Sequence, residues 1–175
     1  WDPRGEDDEL LKRADLSPNR EGATRILGDK TLSDILDDVS AVIILAHNPR
    51  KDAPADEASK LGSLTKIVLA SQLHETAEDA DIVLPIAGFA ECEGTVTNFE
   101  GQTQIVNAAV TAPGETRVAL EVLAELVVAA GGKAIKKTDV ASVFDEIAKK
   151  VKPFKGLKHA KLGEHGAGKV EEGKK

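Results

Sequence analysis

Residues 41–85, AVIILAHNPRKDAPADEASKLGSLTKIVLASQLHETAEDADIVLP, hold three short apolar runs, and their spacing decides the fold class. AVIILA (41–46), KIVLA (66–70) and DIVLP (81–85) have the length and β-branching of strands buried on both faces. His47-Asn48-Pro49 stops the first. Residues 52–63 suit a helix ending near Gly62, and Ser71–Ala80 is a short polar connection. Buried strands alternating with helical or short connections predict an α/β fold: a parallel Rossmann-like sheet flanked by helices, with right-handed crossovers.

The flanks extend this pattern. Thr31 and Asp34 have the spacing of a capping box, and Leu32, Ile35, Leu36 and Val39 follow at helical intervals. Beyond the sheet, Thr116 is placed to cap a long helix with Ala119, Val122, Leu123, Leu126, Val127 and Ala130 on one face, closed by Gly131. A further helix runs from Thr138 through Val140, Val143, Phe144, Ile147 and Val151 until Pro153 ends it. Between sheet and helices, Thr95–Phe99 and Gln102–Asn107 read as two extended arms around Glu100-Gly101, a hairpin-like flap.

The chain thus divides into a Pro- and Gly-punctuated connector over 1–30, with a short helical possibility from Asp8 to Ala14, an α/β domain over 31–131, a C-terminal helix within 132–152, and a basic flexible tail over 153–175.

Four Phe and one Trp leave the core to Val, Ile, Leu and Ala. The net charge of −7 conceals an asymmetry: residues 151–175 carry seven Lys against three Glu, so the rest of the chain is strongly acidic. An acidic body argues against nucleic acid as the main partner. Cys92 is the one cysteine, which excludes an internal disulfide and an iron-sulfur cluster held by this chain alone. No apolar run approaches the ~20 residues of a membrane-spanning helix, so direct membrane insertion is not expected. The sequence contains no Met and opens at Trp1, which reads as part of a longer protein.

Candidate sites are few. Ser71–Asp81 lies where the second strand ends and the third begins, the place where open α/β sheets bind ligands. There Thr76 is suited to cap a helical turn or to bond a phosphate or ribose. Glu75, Glu78, Asp79 and Asp81 make the neighbourhood hostile to phosphate and favour a structural role. GTVTNFEGQTQ (94–104) is dense in Thr, Asn and Gln, which both donate and accept hydrogen bonds, as amide or heterocycle recognition requires. His47 and His74 follow strand ends but have no second His or Cys at ligand spacing, so loop roles are expected. Cys92, between Glu91 and Glu93, is in a poor setting for a nucleophile. No GxGxxG, P-loop or GxSxG element is present.

LLKRADLSPNREGATRILG (10–28), ETAEDADIVLPIAGFAECEGTVTNFEGQTQ (75–104) and GETRVALEVLAELVVAAGG (114–132) together resemble the molybdopterin oxidoreductase superfamily. Within it they most resemble the C-terminal part of the large iron-sulfur subunit of NADH-quinone oxidoreductase, respiratory complex I. The middle stretch is the most specific, since the family pattern runs ETA, ADVVLP and then AEKDGTFTNTEGRVQ. Cys92 and Glu93 stand where that pattern has Lys-Asp, and Gln102 where an Arg is common, which weakens an anionic pterin site.

The resemblance implies a structural segment of an iron-sulfur subunit, non-catalytic by itself, with no cofactor in this chain. The 4Fe-4S and 2Fe-2S clusters are then expected in the N-terminal part of the subunit. It also implies other subunits of a redox complex as partners, and a peripheral position on the cytoplasmic side of the inner membrane. Two alternatives stay open. In the first, the chain is the cofactor-binding part of a formate-dehydrogenase-like enzyme, with Asn98, Glu100 and Gln102 against a molybdopterin guanine dinucleotide. In the second, it is a free-standing module binding a nucleotide at Ser71–Asp81.

Overall fold

The computed structural model describes Asp8 and residues 19–163. The rest of the helix expected at 8–14 and the end of the expected tail, 164–175, lie outside the described residues. Along the chain run α1 (Arg20–Leu27), α2 (Leu32–Leu36), β1 (Ala41–Leu45), α3 (Pro49–Asp52), α4 (Ala55–Lys60), β2 (Thr65–Ala70), α5 (Glu75–Glu78), β3 (Ile82–Pro85), β4 (Gly94–Thr97), β5 (Thr103–Val106), α6 (Ala119–Ala129) and α7 (Val140–Lys150). They form two compact units. A sheet unit is drawn from Lys30–Cys92 and Ala108–Ile135, and a hairpin unit from Trp1–Asp29, Glu93–Asn107 and Lys136–Lys175.

The sheet unit is the α/β fold read from the sequence. Its strands pair in the order β1-β2-β3, all parallel, with Ile43, Ile67 and Ile82 in register and Leu45, Leu69 and Leu84 two residues on. Because side chains alternate across a strand, this register sorts the sheet into two faces. One face, carrying Ile44, Val68 and Ala70, packs with Leu36, Leu61 and Ala77. The other, through Leu69, Ile67 and Leu84, meets Ile86 and the Val122, Leu123 and Leu126 stripe of α6.

Of these three strands only β2 is buried on both faces. In β1, expected to be enclosed, Ile43 is 49% and Leu45 43% exposed. The reason is position: β1 has a neighbour on one side alone, and α6 covers the β2 and β3 part of that face.

Local chemistry sets the ends of the elements. Thr31 and Asp34 do form the capping box of α2. The helix expected over 52–63 starts only after Pro54, as α4, and tightens into a 3-10 turn at Leu61–Ser63. Thr116 does not cap α6; its hydroxyl donates to the Pro113 carbonyl, and Val118 stands at the N-cap without a side-chain bond. Gly131 closes α6 as read: at φ +82° it donates to the Val128 carbonyl while Gly132 donates to that of Val127, a Schellman arrangement. The cap of α7 is Asp139, accepting from the Ser142 N–H at 2.8 Å, one residue beyond the expected Thr138.

The hairpin unit departs more from the sequence reading. Residues 20–27, read as irregular connector, form α1, with Glu21 and Arg25 paired one turn apart. Residues 153–163, read as flexible tail, are packed: Phe154 is 2% and Leu162 1% exposed. They close over Phe144 and Ala148 of α7 and over Ile105 of β5. Phe144 and Phe154 meet edge to face at 6.2 Å. Two bulky apolar side chains among many Lys and Gly are enough to fasten this segment.

Candidate functional site

Two sets of polar residues face the chemistry expected from the sequence, one in each unit. In the sheet unit the strands end in three loops. Ala46 leaves β1 at φ +48°, a backbone region that costs a residue with a Cβ about 1–2 kcal/mol, and its N–H donates to the Leu69 carbonyl. That bend delivers Asn48. The Asn48 Oδ1 accepts from the Thr76 hydroxyl at 2.7 Å and from its N–H at 3.3 Å, while Nδ2 donates to Glu75 at 2.6 Å. The Thr76 Oγ1 in turn accepts from the Arg50 N–H at 3.1 Å.

Thr76 is 1% exposed, so its hydroxyl ties the loop after β1 to the loop after β2. The cap of α5 is His74, whose Nδ1 accepts from the Ala77 N–H, rather than Thr76. The Asn48 amide holds the Glu75 carboxyl below the usual carboxylate range, so the loop carries a firmly ionised acid. Farther along, Arg50 pairs with Asp79 at 2.7 Å, Glu91 accepts from the Gly88 N–H, and His47 stands 4.0 Å from Asp52. Cys92 is half-buried.

In the hairpin unit, β4 and β5 are antiparallel, with Thr97 opposite Thr103. These two hydroxyls bond each other at 3.0 Å and are buried. The turn carries Asn98, Glu100 and Gln102, the three residues singled out by the resemblance. The Asn98 Oδ1 accepts from the N–H groups of Glu100 and Gln102, at 3.0 and 2.9 Å. Gly101, at φ +77°, donates to the Asn98 carbonyl. The structure therefore brings Asn98 and Gln102 together across the turn and leaves the Glu100 side chain in solvent. The Asn19 Oδ1 accepts from the Thr97 N–H at 2.8 Å, and Gly22 lies so close that a Cβ there would stand 2.7 Å from Asn19 and 3.0 Å from Thr97.

Asn48, read only as a strand stop, and Arg50 and Lys66, not singled out in the sequence, emerge as polar organisers of the sheet unit. The one signal for Lys66 is a Lys at the head of an otherwise apolar strand.

A parallel sheet closed by helices, a polar strand-end loop carrying ETA, and a Thr-rich hairpin define the class. The molybdopterin oxidoreductase family matches residues 28–129, and the chain belongs to it. Among its relatives, the chain is 34% identical over 133 residues, 73% of its length, to F420-dependent formate dehydrogenase 1 subunit alpha of Methanococcus maripaludis. It is 28% identical over 137 residues, 74% of its length, to the assimilatory nitrate reductase catalytic subunit of Bacillus subtilis. It is 33% identical over 101 residues, 58% of its length, to a subunit of the NADH-quinone oxidoreductase of Rhizobium meliloti. The matched regions span 20%, 19% and 12% of these relatives. Among the described residues no helix is long and apolar enough to cross a membrane.

Proposed function

We propose that this chain is a structural segment of the large iron-sulfur subunit of an NADH-quinone oxidoreductase. In this reading it does no chemistry itself and packs against cluster-bearing parts of the subunit that pass electrons from NADH toward quinone. The observation that carries the reading is the bonding of the hairpin. The Asn98 Oδ1 is taken up by its own turn, Thr97 and Thr103 bond each other, and Gln102 stands where the family pattern has an Arg.

With Gln102 in place of that Arg the turn lacks the cation that favours an anionic pterin dinucleotide, which supports the reading. The strand-end loops of the sheet unit point the same way: Asn48 and Thr76 satisfy each other beside the ionised Glu75. The resemblance to the large subunit of complex I supports the reading, under which the partners are other subunits of a peripheral redox complex.

A second reading is favoured by the length of the matches, since the formate dehydrogenase and nitrate reductase relatives align over longer stretches than the NADH-quinone oxidoreductase subunit. In it the chain helps hold a pterin cofactor. Elemental analysis for molybdenum and tungsten, with fluorescence of the oxidised pterin, on the purified complex containing this chain separates the two. The expected result is neither metal nor pterin, with NADH-to-quinone activity intact. Stoichiometric metal with pterin overturns the scaffold reading.

A further inference from the structure

Within the sheet unit, a cavity of about 420 Å3 opens between α4, the head of β2 and the end of α5, lined among others by Arg50, Ala58, Gly62, Lys66 and Asp79. Strand alternation puts Lys66 on the same inward face as Val68 and Ala70, and it is 7% exposed. A buried cation is costly unless closely paired.

Lys66 is not closely paired. Its Nζ reaches the Leu61 and Leu64 carbonyls at 3.4 and 3.2 Å, long for a charged donor. The nearest carboxylate, on Asp79, stands 4.0 Å away and is bonded to Arg50 at 2.7 Å. Asp81, the other acid beside it, accepts from the Lys66 backbone N–H. Ala55, Ala58, Ser59 and Gly62 keep one part of the wall small, and a Cβ built on Gly62 would meet nothing within 4 Å. Of the residues lining the cavity, Arg50 and Asp79 pair with each other, so Lys66 is the cation that faces the open space without a close counter-charge.

We propose that this cavity binds a tetrahedral oxyanion of phosphate or sulfate size, anchored by Lys66 and Arg50. The anion supplies the close partner that Lys66 lacks. Its source is either the free ion or the terminal phosphate of a small molecule. The site is built from residues of the sheet unit alone and is independent of the reading proposed above.

The test is a titration of the full chain with inorganic phosphate, followed by thermal unfolding and by 31P line broadening, against sodium chloride at matched ionic strength. The expected result is a rise in Tm with phosphate beyond that with chloride, and a dissociation constant of about 1 mM or tighter. Arg50→Gln should weaken binding by about tenfold, and Lys66→Met should abolish it. Adenosine monophosphate in place of phosphate separates the sources: tighter binding identifies a phosphorylated molecule, equal or weaker binding the free ion. Equal effects of phosphate and chloride, or phosphate binding unchanged in Arg50→Gln, overturn the proposal. If Lys66→Met fails to fold, Arg50→Gln still decides, because the Arg50 side chain is 51% exposed and not needed for the core.

Discussion

At the scale of single residues, the sheet unit separates side chains that hold the core from those that only look as if they do. Leu69 has no exposed surface, whereas Ile43, one strand away, is half in solvent. Leu69→Ala is expected to cost about 2–5 kcal/mol in urea unfolding, and Ile43→Thr no more than about 0.5 kcal/mol. Ala46, held at φ +48°, is strained where glycine would not be, so Ala46→Gly should raise stability by about 0.5–1 kcal/mol in the same assay.

Asp139 gives a pH signature. The Ser142 backbone N–H, then the Ser142 hydroxyl, hold its carboxyl below the ordinary range. A depressed native value means stability that is present above the ordinary carboxylate pKa of about 3.9 and lost as the pH falls through the native value. Asp139→Ala should therefore lower Tm at pH 7 and converge with the parent chain in acid. Asp139→Asn, still a good cap, should show a smaller loss at pH 7.

At the scale of elements, three strands, their order along the chain and the capping box at Thr31 were legible because each is a local pattern: an apolar run, or two polar residues at fixed spacing. The exposure of β1 was not legible, since AVIIL reads the same at an edge as in the middle of a sheet. Nor was α1, whose sequence REGATRIL is polar on average and has a Gly in its first turn. That glycine is buried against Thr97 and Asn19, a reason visible only once α1 lies on β4. The same limit applies to the candidate site. The hairpin turn was legible from Glu100-Gly101, but the engagement of Asn98 with two backbone N–H groups needs the fold. Gly101→Ala should cost about 1–2 kcal/mol, because the turn requires its left-handed backbone, and the loss is measurable by chemical denaturation.

At the scale of the whole molecule, contact in space regroups what the sequence sets out in a line. Each compact unit is assembled from separated stretches, so residues 153–163 serve the same small core as β5 rather than trailing from it. Phe154→Ala should loosen that core selectively. Hydrogen exchange at Ile105 and across β4 and β5 is expected to accelerate, while the β2 amides of Val68 and Leu69 keep their protection. Equal acceleration in both units would show one cooperative body instead.

The interleaving also bears on the order in which the chain completes itself during synthesis. As residues emerge from the ribosome, β1, β2 and β3 appear before α6, and the sheet lacks its second covering layer until α6 has followed. The hairpin made in the interval has no core until Phe144, Phe154 and Leu162 have been translated. The sheet unit is thus finished while the hairpin unit still waits for the last stretch of its own partners, and a nascent chain halted after Ile135 would carry one settled half and one exposed one.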